Sequence, residues 1–139
     1  MKKTLLAIMA VLMMSVMLIA GCSSGEEAAP AADKKSGTTT IGFSISTLNN
    51  PFFVSVKDGV EAKAKELGVN VKIVDAQNDP AKQANDVADL LQQGVSVLLV
   101  NPVDSAAIST SVEAANKAKI PVIALDRSAD KGTIASLVA

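Results

Sequence analysis

The residues of this chain able to do chemistry are carboxylates, amides, hydroxyls and one guanidinium, and they collect in four short segments. These are Ser46-Thr47-Leu48-Asn49-Asn50, Asp75-Ala76-Gln77-Asn78, Asn101-Pro102-Val103-Asp104 and Asp126-Arg127-Ser128, with Phe52 and Phe53 adjoining the first. Carboxylates and amides exchange hydrogen bonds with hydroxyls, a guanidinium donates in a fixed fork, and aromatic faces pack against C–H surface. Such a set suits a small polyhydroxylated ligand. The 139 residues include no His, one Cys, no Trp or Tyr and three Phe. A zinc site of the His/Cys type, a Ser-His-Asp or Cys-His catalytic centre and a disulfide framework within the chain are therefore excluded. A formal net charge of -1 and few aromatics offer nucleic acid little to hold. No metal or cofactor is expected.

Arg127 is the single Arg among 13 basic residues. Directly after an apolar run and beside Asp126, it is better placed to grip a ligand than to solubilise a surface. A structural Asp126–Arg127 pair closing a sheet edge is the alternative. Phe53 falls in phase with the apolar positions of the segment that follows it, whereas Phe52 lies about 100° away around a helix and is the better candidate for lining a cleft. Asn50 precedes Pro51, and capping a helix explains it fully without a ligand. Asp75, Asn101 and Asp104 fit loop and capping roles as well as they fit binding.

The elements that must position these residues alternate. Thr39 to Ser46 has the period-two pattern of a strand. Asn50-Pro51 then supplies a helix cap and first turn, and Phe53, Val56, Val60, Ala64 and Leu67 recur at three- and four-residue steps, so they are expected to form one buried stripe ending at Gly68. Val69 to Asp75 reads as a strand, and Asp79-Pro80 opens a helix that buries Ala84, Val87, Leu90 and Leu91 and ends at Gly94. Val95 to Val100 suits a strand covered on both faces, Asp104 caps a helix using Ile108, Val112 and Ala115, and Pro121 to Leu125 is a fourth strand. Thr133 to Val138 fits a fifth. Strands separated by such helices are parallel with right-handed crossovers, which predicts an α/β fold: a three-layer sandwich with an open parallel sheet. In such sheets ligands sit beyond the carboxyl ends of the strands, where the four polar segments fall.

The amino terminus has a different character. Lys2 and Lys3 precede an apolar run from Leu5 to Ala20, which stops at Gly21-Cys22 before a polar stretch. This is the layout of an export signal over residues 1–21, since about 16 apolar residues fall short of the roughly 20 a spanning helix needs. Ile19-Ala20-Gly21-Cys22 resembles the bacterial lipobox, which implies cleavage before Cys22 and lipid on its sulfur, anchoring the protein at a membrane surface. Cleavage would remove Lys2 and Lys3, leaving 11 basic and 14 acidic residues and a charge of -3. Residues 22–38 hold no large apolar side chain able to repay the entropy of ordering, and read as a flexible tether. The domain organisation expected is thus signal 1–21, tether 22–38 and a ligand-binding lobe 39–139.

Ser46-Thr47-Leu48-Asn49-Asn50-Pro51-Phe52-Phe53, with Ile123-Ala124-Leu125-Asp126-Arg127 downstream, resembles the ribose-binding members of the periplasmic-type sugar-binding proteins. Asp75-Ala76-Gln77-Asn78-Asp79-Pro80-Ala81-Lys82 and Asn101-Pro102-Val103-Asp104-Ser105 fit the same pattern, so the similarity runs from about Thr39 to the end. The resemblance implies the Rossmann-like amino-terminal lobe of a type I periplasmic binding protein. It implies that Asn50, Phe52, Phe53, Asp126 and Arg127 contact a monosaccharide, ribose first, with the two Phe clamping the ring and the polar three bonding its hydroxyls. It further implies a monomer that works outside the cytoplasm and delivers sugar to an ABC-type permease; some family members also engage chemoreceptors. Family members join two lobes by crossing strands, and Ala135 to Ala139 resembles the approach to the first crossing. The expectation is a chain without its second lobe, holding half of a binding site.

Other function classes fare less well. The same fold serves sugar-responsive repressors, but a repressor needs a basic helix-turn-helix before the sheet, where this chain has a signal and tether. A receptor for a furanose-like signal molecule fits the same residues. An enzyme is not expected: neither G-x-G-x-x-G nor G-x-x-x-x-G-K-[ST] occurs, and the first strand-to-helix loop carries Asn-Asn-Pro in place of phosphate-cradling glycines.

Overall fold

The computed structural model describes residues 39–139; the signal at 1–21, Cys22 and the tether at 22–38 lie outside the described residues. In chain order the elements are β1 (Thr40–Ile45), α1 (Pro51–Leu67), β2 (Asn70–Asp75), α2 (Pro80–Gln92), β3 (Val97–Val100), α3 (Ser109–Lys117), β4 (Val122–Leu125) and β5 (Ser136–Val138). All pairings are parallel, in the order β2-β1-β3-β4-β5. Thr40 stands opposite Asn70 and Ile41 opposite Val97, so β1 lies between β2 and β3.

Local chemistry explains the helix ends. Asn50 Oδ1 accepts a hydrogen bond from Phe52 N at 2.9 Å with Pro51 in the first turn, and Asp79 Oδ1 does the same for Ala81 N and Lys82 N at 2.8 and 3.1 Å with Pro80. Gly68 ends α1 in the left-handed conformation at φ 67°, its N–H bonding back to Lys65 O.

Strand order decides which face each helix covers. The chain moves from β1 to β2 in one direction and from β2 back across β1 to β3 and β4 in the other, so right-handed crossovers put α1 on one face and α2 with α3 on the opposite one. The core lies on the α2/α3 face, where Val87, Leu90, Val95, Leu98, Val100, Ile108, Val112, Ala115 and Val122 form one buried cluster. Each large apolar side chain fully buried there contributes about 1.5–3 kcal/mol. Gly42 leaves room for it, since a Cβ there would stand 3.1 Å from Val95 and 3.2 Å from Leu90.

Three expectations need correction. The α1 stripe is not a buried one: Ala64 is buried, Phe53, Val56 and Val60 are half-buried, and Leu67 is 62% exposed. The reason is that α1 packs on β2 without a second described helix beside it, so Val97, Leu99, Ile123 and Leu125 on its side of the sheet also stay half-exposed, while Leu98, Val100, Val122 and Ala124 are buried. On α2 the buried face is Gln83, Val87 and Leu90, with Ala84 and Leu91 half-buried. Asp104 caps a turn rather than α3 itself: its Oδ1 accepts from Ala106 N and Ala107 N at 3.0 and 2.7 Å, and the regular helix begins at Ser109 without a side-chain cap.

Candidate functional site

A reversal in strand order leaves a gap at the carboxyl edge of a parallel sheet, because the loops on either side of it diverge to opposite faces. Here the reversal falls between β1 and β3. A cavity of about 170 Å³ lies at this edge, lined by Phe52, Phe53, Val56, Asn101, Leu125, Asp126, Val138 and Ala139. Its walls come from the first turns of α1, the end of β3 and the ends of β4 and β5.

The aromatic wall is set by α1. Phe52 and Phe53 meet edge to face, with ring centroids 5.3 Å apart and planes at 67°. Phe52 is 59% exposed and Phe53 half-buried, so Phe52 is the more open of the two. Both line the cavity, although helical phase assigned Phe53 to the core side.

Asp126 supplies the polar wall. It follows β4 directly and takes the left-handed conformation at φ 64°, its N–H donating to Val138 O at 2.7 Å. This conformation is uncommon outside Gly, Asn and Asp, and the residue so placed lines the cavity. Among the described residues no hydrogen bond or ion pair takes up its carboxylate. The other two carboxylates at the edge are committed to their own loops: Asp75 Oδ1 accepts from Gln77 N at 2.9 Å, in a turn with Gln77 and Asn78 at φ 55° and 59°, and Asp104 caps its turn.

The structure brings Phe52, Phe53 and Asp126 together and places the other two sequence candidates beside the cavity without lining it. Asn50 spends its Oδ1 on the α1 cap. Arg127 does not pair with Asp126; its Nη1 donates to Val103 O in the loop after β3. Cys22 lies outside the described residues.

Of two further residues at the cavity, the sequence left Asn101 open between a loop role and binding, and it gave no role to Gln83. Asn101, 2% exposed, lines the cavity floor and ties its edges: Oδ1 accepts from Ser46 N at 3.2 Å and Nδ2 donates to Leu125 O at 3.0 Å. Gln83, 1% exposed, bonds to the loop that carries Asn101. The available signal was phase: Gln83 falls on the apolar stripe it shares with Val87 and Leu90, where an amide needs partners to be buried. Among the described residues no buried side-chain nitrogen or oxygen lacks a partner.

The arrangement can hold the C–H surface of a small ring against Phe52 and Phe53 while its hydroxyls meet Asp126. No cluster of three or more metal-ligating side chains occurs among the described residues.

Comparison with known proteins places the chain among relatives. Residues 41–139 match the family model described as the periplasmic binding protein domain. The Ribose import binding protein RbsB of Bacillus subtilis (strain 168) is 52% identical over 135 residues, covering 96% of this chain and 44% of the relative. The protein of the same name from Escherichia coli (strain K12) is 52% identical over 100 residues, covering 72% of this chain and 34% of the relative. Among solved structures, an ABC transporter solute binding protein from Mycobacterium smegmatis with bound glycerol superimposes with a TM-score of 0.69 at 40% identity, covering 73% of this chain and 35% of that one. The Caulobacter myo-inositol binding protein bound to myo-inositol gives 0.70 at 31%, covering 76% and 36%. The chain thus spans less than half the length of these relatives. By the extent of the family match and the parallel α/β architecture it shares with these structures, the chain belongs to the periplasmic binding protein domain family.

Proposed function

We propose that the chain is the amino-terminal lobe of an extracytoplasmic solute-binding lipoprotein that captures a monosaccharide, ribose first, and passes it to an ABC-type permease. One observation carries the reading: a cavity at the strand-order reversal joins two aromatic rings to a carboxylate that has no hydrogen-bond or ion-pair partner among the described residues. The names of the relatives support the ligand class, ribose in the RbsB proteins and a polyol in the Caulobacter structure. Asn50, Phe52, Phe53, Asp126 and Arg127 are the proposed contacts of this half of the site, with Asn101 beneath them. Cys22 carries the lipid that keeps the protein at the membrane.

The test begins with the reading frame downstream of Ala139 and continues with calorimetry of its complete mature product against ribose, galactose, xylose and a furanose-type signal molecule. Ribose binding that weakens in Phe52→Ala and Asp126→Ala is the expected result. Binding of the signal molecule alone would move the protein to the receptor class, and binding of none of the four would overturn the reading. Lipid attachment is checked separately, as release of the protein from membranes in Cys22→Ser.

A further inference from the structure

We propose that Gln83 is a positioning residue for the sugar site: from inside α2, its amide holds the β3–α3 loop where the Val103 carbonyl receives the Arg127 guanidinium. The inference rests on the proposed sugar reading of the cavity. Gln83 is fully buried on the stripe it shares with Val87 and Leu90, a place where an apolar side chain would cost nothing in lost hydration. Both of its polar atoms are used. Nε2 donates to Asn101 O at 2.9 Å and to Ser44 Oγ at 3.2 Å, and Oε1 accepts from Val103 N at 2.9 Å.

These bonds lead to the proposed contacts in two directions. Val103 O accepts from Arg127 Nη1, so the acceptor that orients the guanidinium sits on the residue whose N–H Gln83 grips. Asn101, whose carbonyl Gln83 also holds, reaches with its side chain to Ser46 N in the loop leading to Phe52 and to Leu125 O next to Asp126. Two buried amides, Gln83 and Asn101, therefore connect the loops after β1, β3 and β4. Filling a core requires volume alone, whereas directed bonds to two residues of one loop and one of β1 fix position, the requirement of a preorganised site.

The test compares the full 139-residue chain with its Gln83→Met, Gln83→Glu and Val87→Ala variants. NMR reads solvent exchange of the Val103 amide and the Arg127 guanidinium protons, and the thermal midpoint is recorded beside it. Met keeps the volume and removes the bonds; Glu, kept protonated by burial at mildly acid pH, keeps an acceptor for Val103 N–H and an O–H donor for Asn101 O; Val87→Ala weakens the same helix face without touching the loop. The expected result is exchange about tenfold faster at both Val103 and Arg127 in Gln83→Met. Gln83→Glu stays near wild type, and Val87→Ala lowers the midpoint without altering Arg127. Wild-type exchange at Arg127 in Gln83→Met overturns the proposal, as does equal acceleration in Val87→Ala, which would assign the effect to stability. Should Gln83→Met not fold, the other chains decide: slowed guanidinium exchange in both wild type and Gln83→Glu supports the proposal, and exchange at the rate of free arginine in either overturns it. These readouts involve no sugar, so their failure is distinct from a failure of the ribose titration.

Discussion

Asp126 combines two properties that substitution can separate, a left-handed backbone at φ 64° and a carboxylate without a partner among the described residues. The left-handed region costs an ordinary L-residue roughly 1–2 kcal/mol and costs Gly little. Asp126→Gly is therefore expected to hold or raise stability by up to about 1 kcal/mol in urea unfolding while abolishing sugar binding by the complete protein. Asp126→Val, β-branched at the same φ, is expected to lose about 1–3 kcal/mol. A stable Asp126→Val would show that the turn does not need this conformation. Asn101 presents the opposite case, a side chain whose two polar atoms are both bonded within the fold. Asn101→Leu leaves the Ser46 N–H without its acceptor, and a loss of about 1–3 kcal/mol in the same measurement is expected. Because those bonds also set the cavity floor, ribose affinity should fall with it.

The elements owe their ends to single residues, and α1 is the sharpest case because its cap, Asn50, is also a proposed sugar contact. Asn50→Ala removes the acceptor for Phe52 N and is expected to cost about 1 kcal/mol, whereas Asn50→Asp restores the cap and the stability. If Asn50→Asp keeps its thermal midpoint but loses ribose, the residue serves both duties; unchanged affinity would leave capping as its whole role. Two glycines at positive φ separate strain from overlap. A Cβ at Gly68, φ 67°, meets open space, so Gly68→Ala should cost about 1–2 kcal/mol from backbone strain alone. At Gly132, φ 89°, a Cβ would stand 2.6 Å from Val112 Cγ1 in the core. Gly132→Ala should therefore be the more damaging of the pair, since overpacking adds about 1–3 kcal/mol to the strain. Equal midpoints would mean that the loop before β5 yields.

At the scale of the molecule, the half-exposed apolar residues on the α1 side of the sheet and the exposed Phe52 ring describe a site walled on one side. Small ligands gain affinity from enclosure and from hydrogen bonds on several sides, so residues 22–139 alone are expected to bind ribose more weakly than micromolar. Calorimetry showing micromolar binding by that segment would contradict this. The element order, the caps at Asn50 and Asp79, the stop at Gly68 and the placement of polar segments after strands were all legible in the sequence. Each depends on residues within a few positions of one another, through helical phase, strand alternation and backbone preference. The motif around Asn50-Pro51-Phe52-Phe53 also pointed to the family, because its residues are contiguous. What only the tertiary structure decided depends on partners far apart in the chain. Ser46 and Asn101, 55 positions apart, meet through one hydrogen bond, and Gln83 reaches Asn101 across 18. Helical phase could place Gln83 in the core but could not name its partners, nor show that Arg127 turns to Val103 instead of pairing with Asp126. Nor could it foresee that α1 would lie half-exposed, since burial of a stripe depends on what packs beside it.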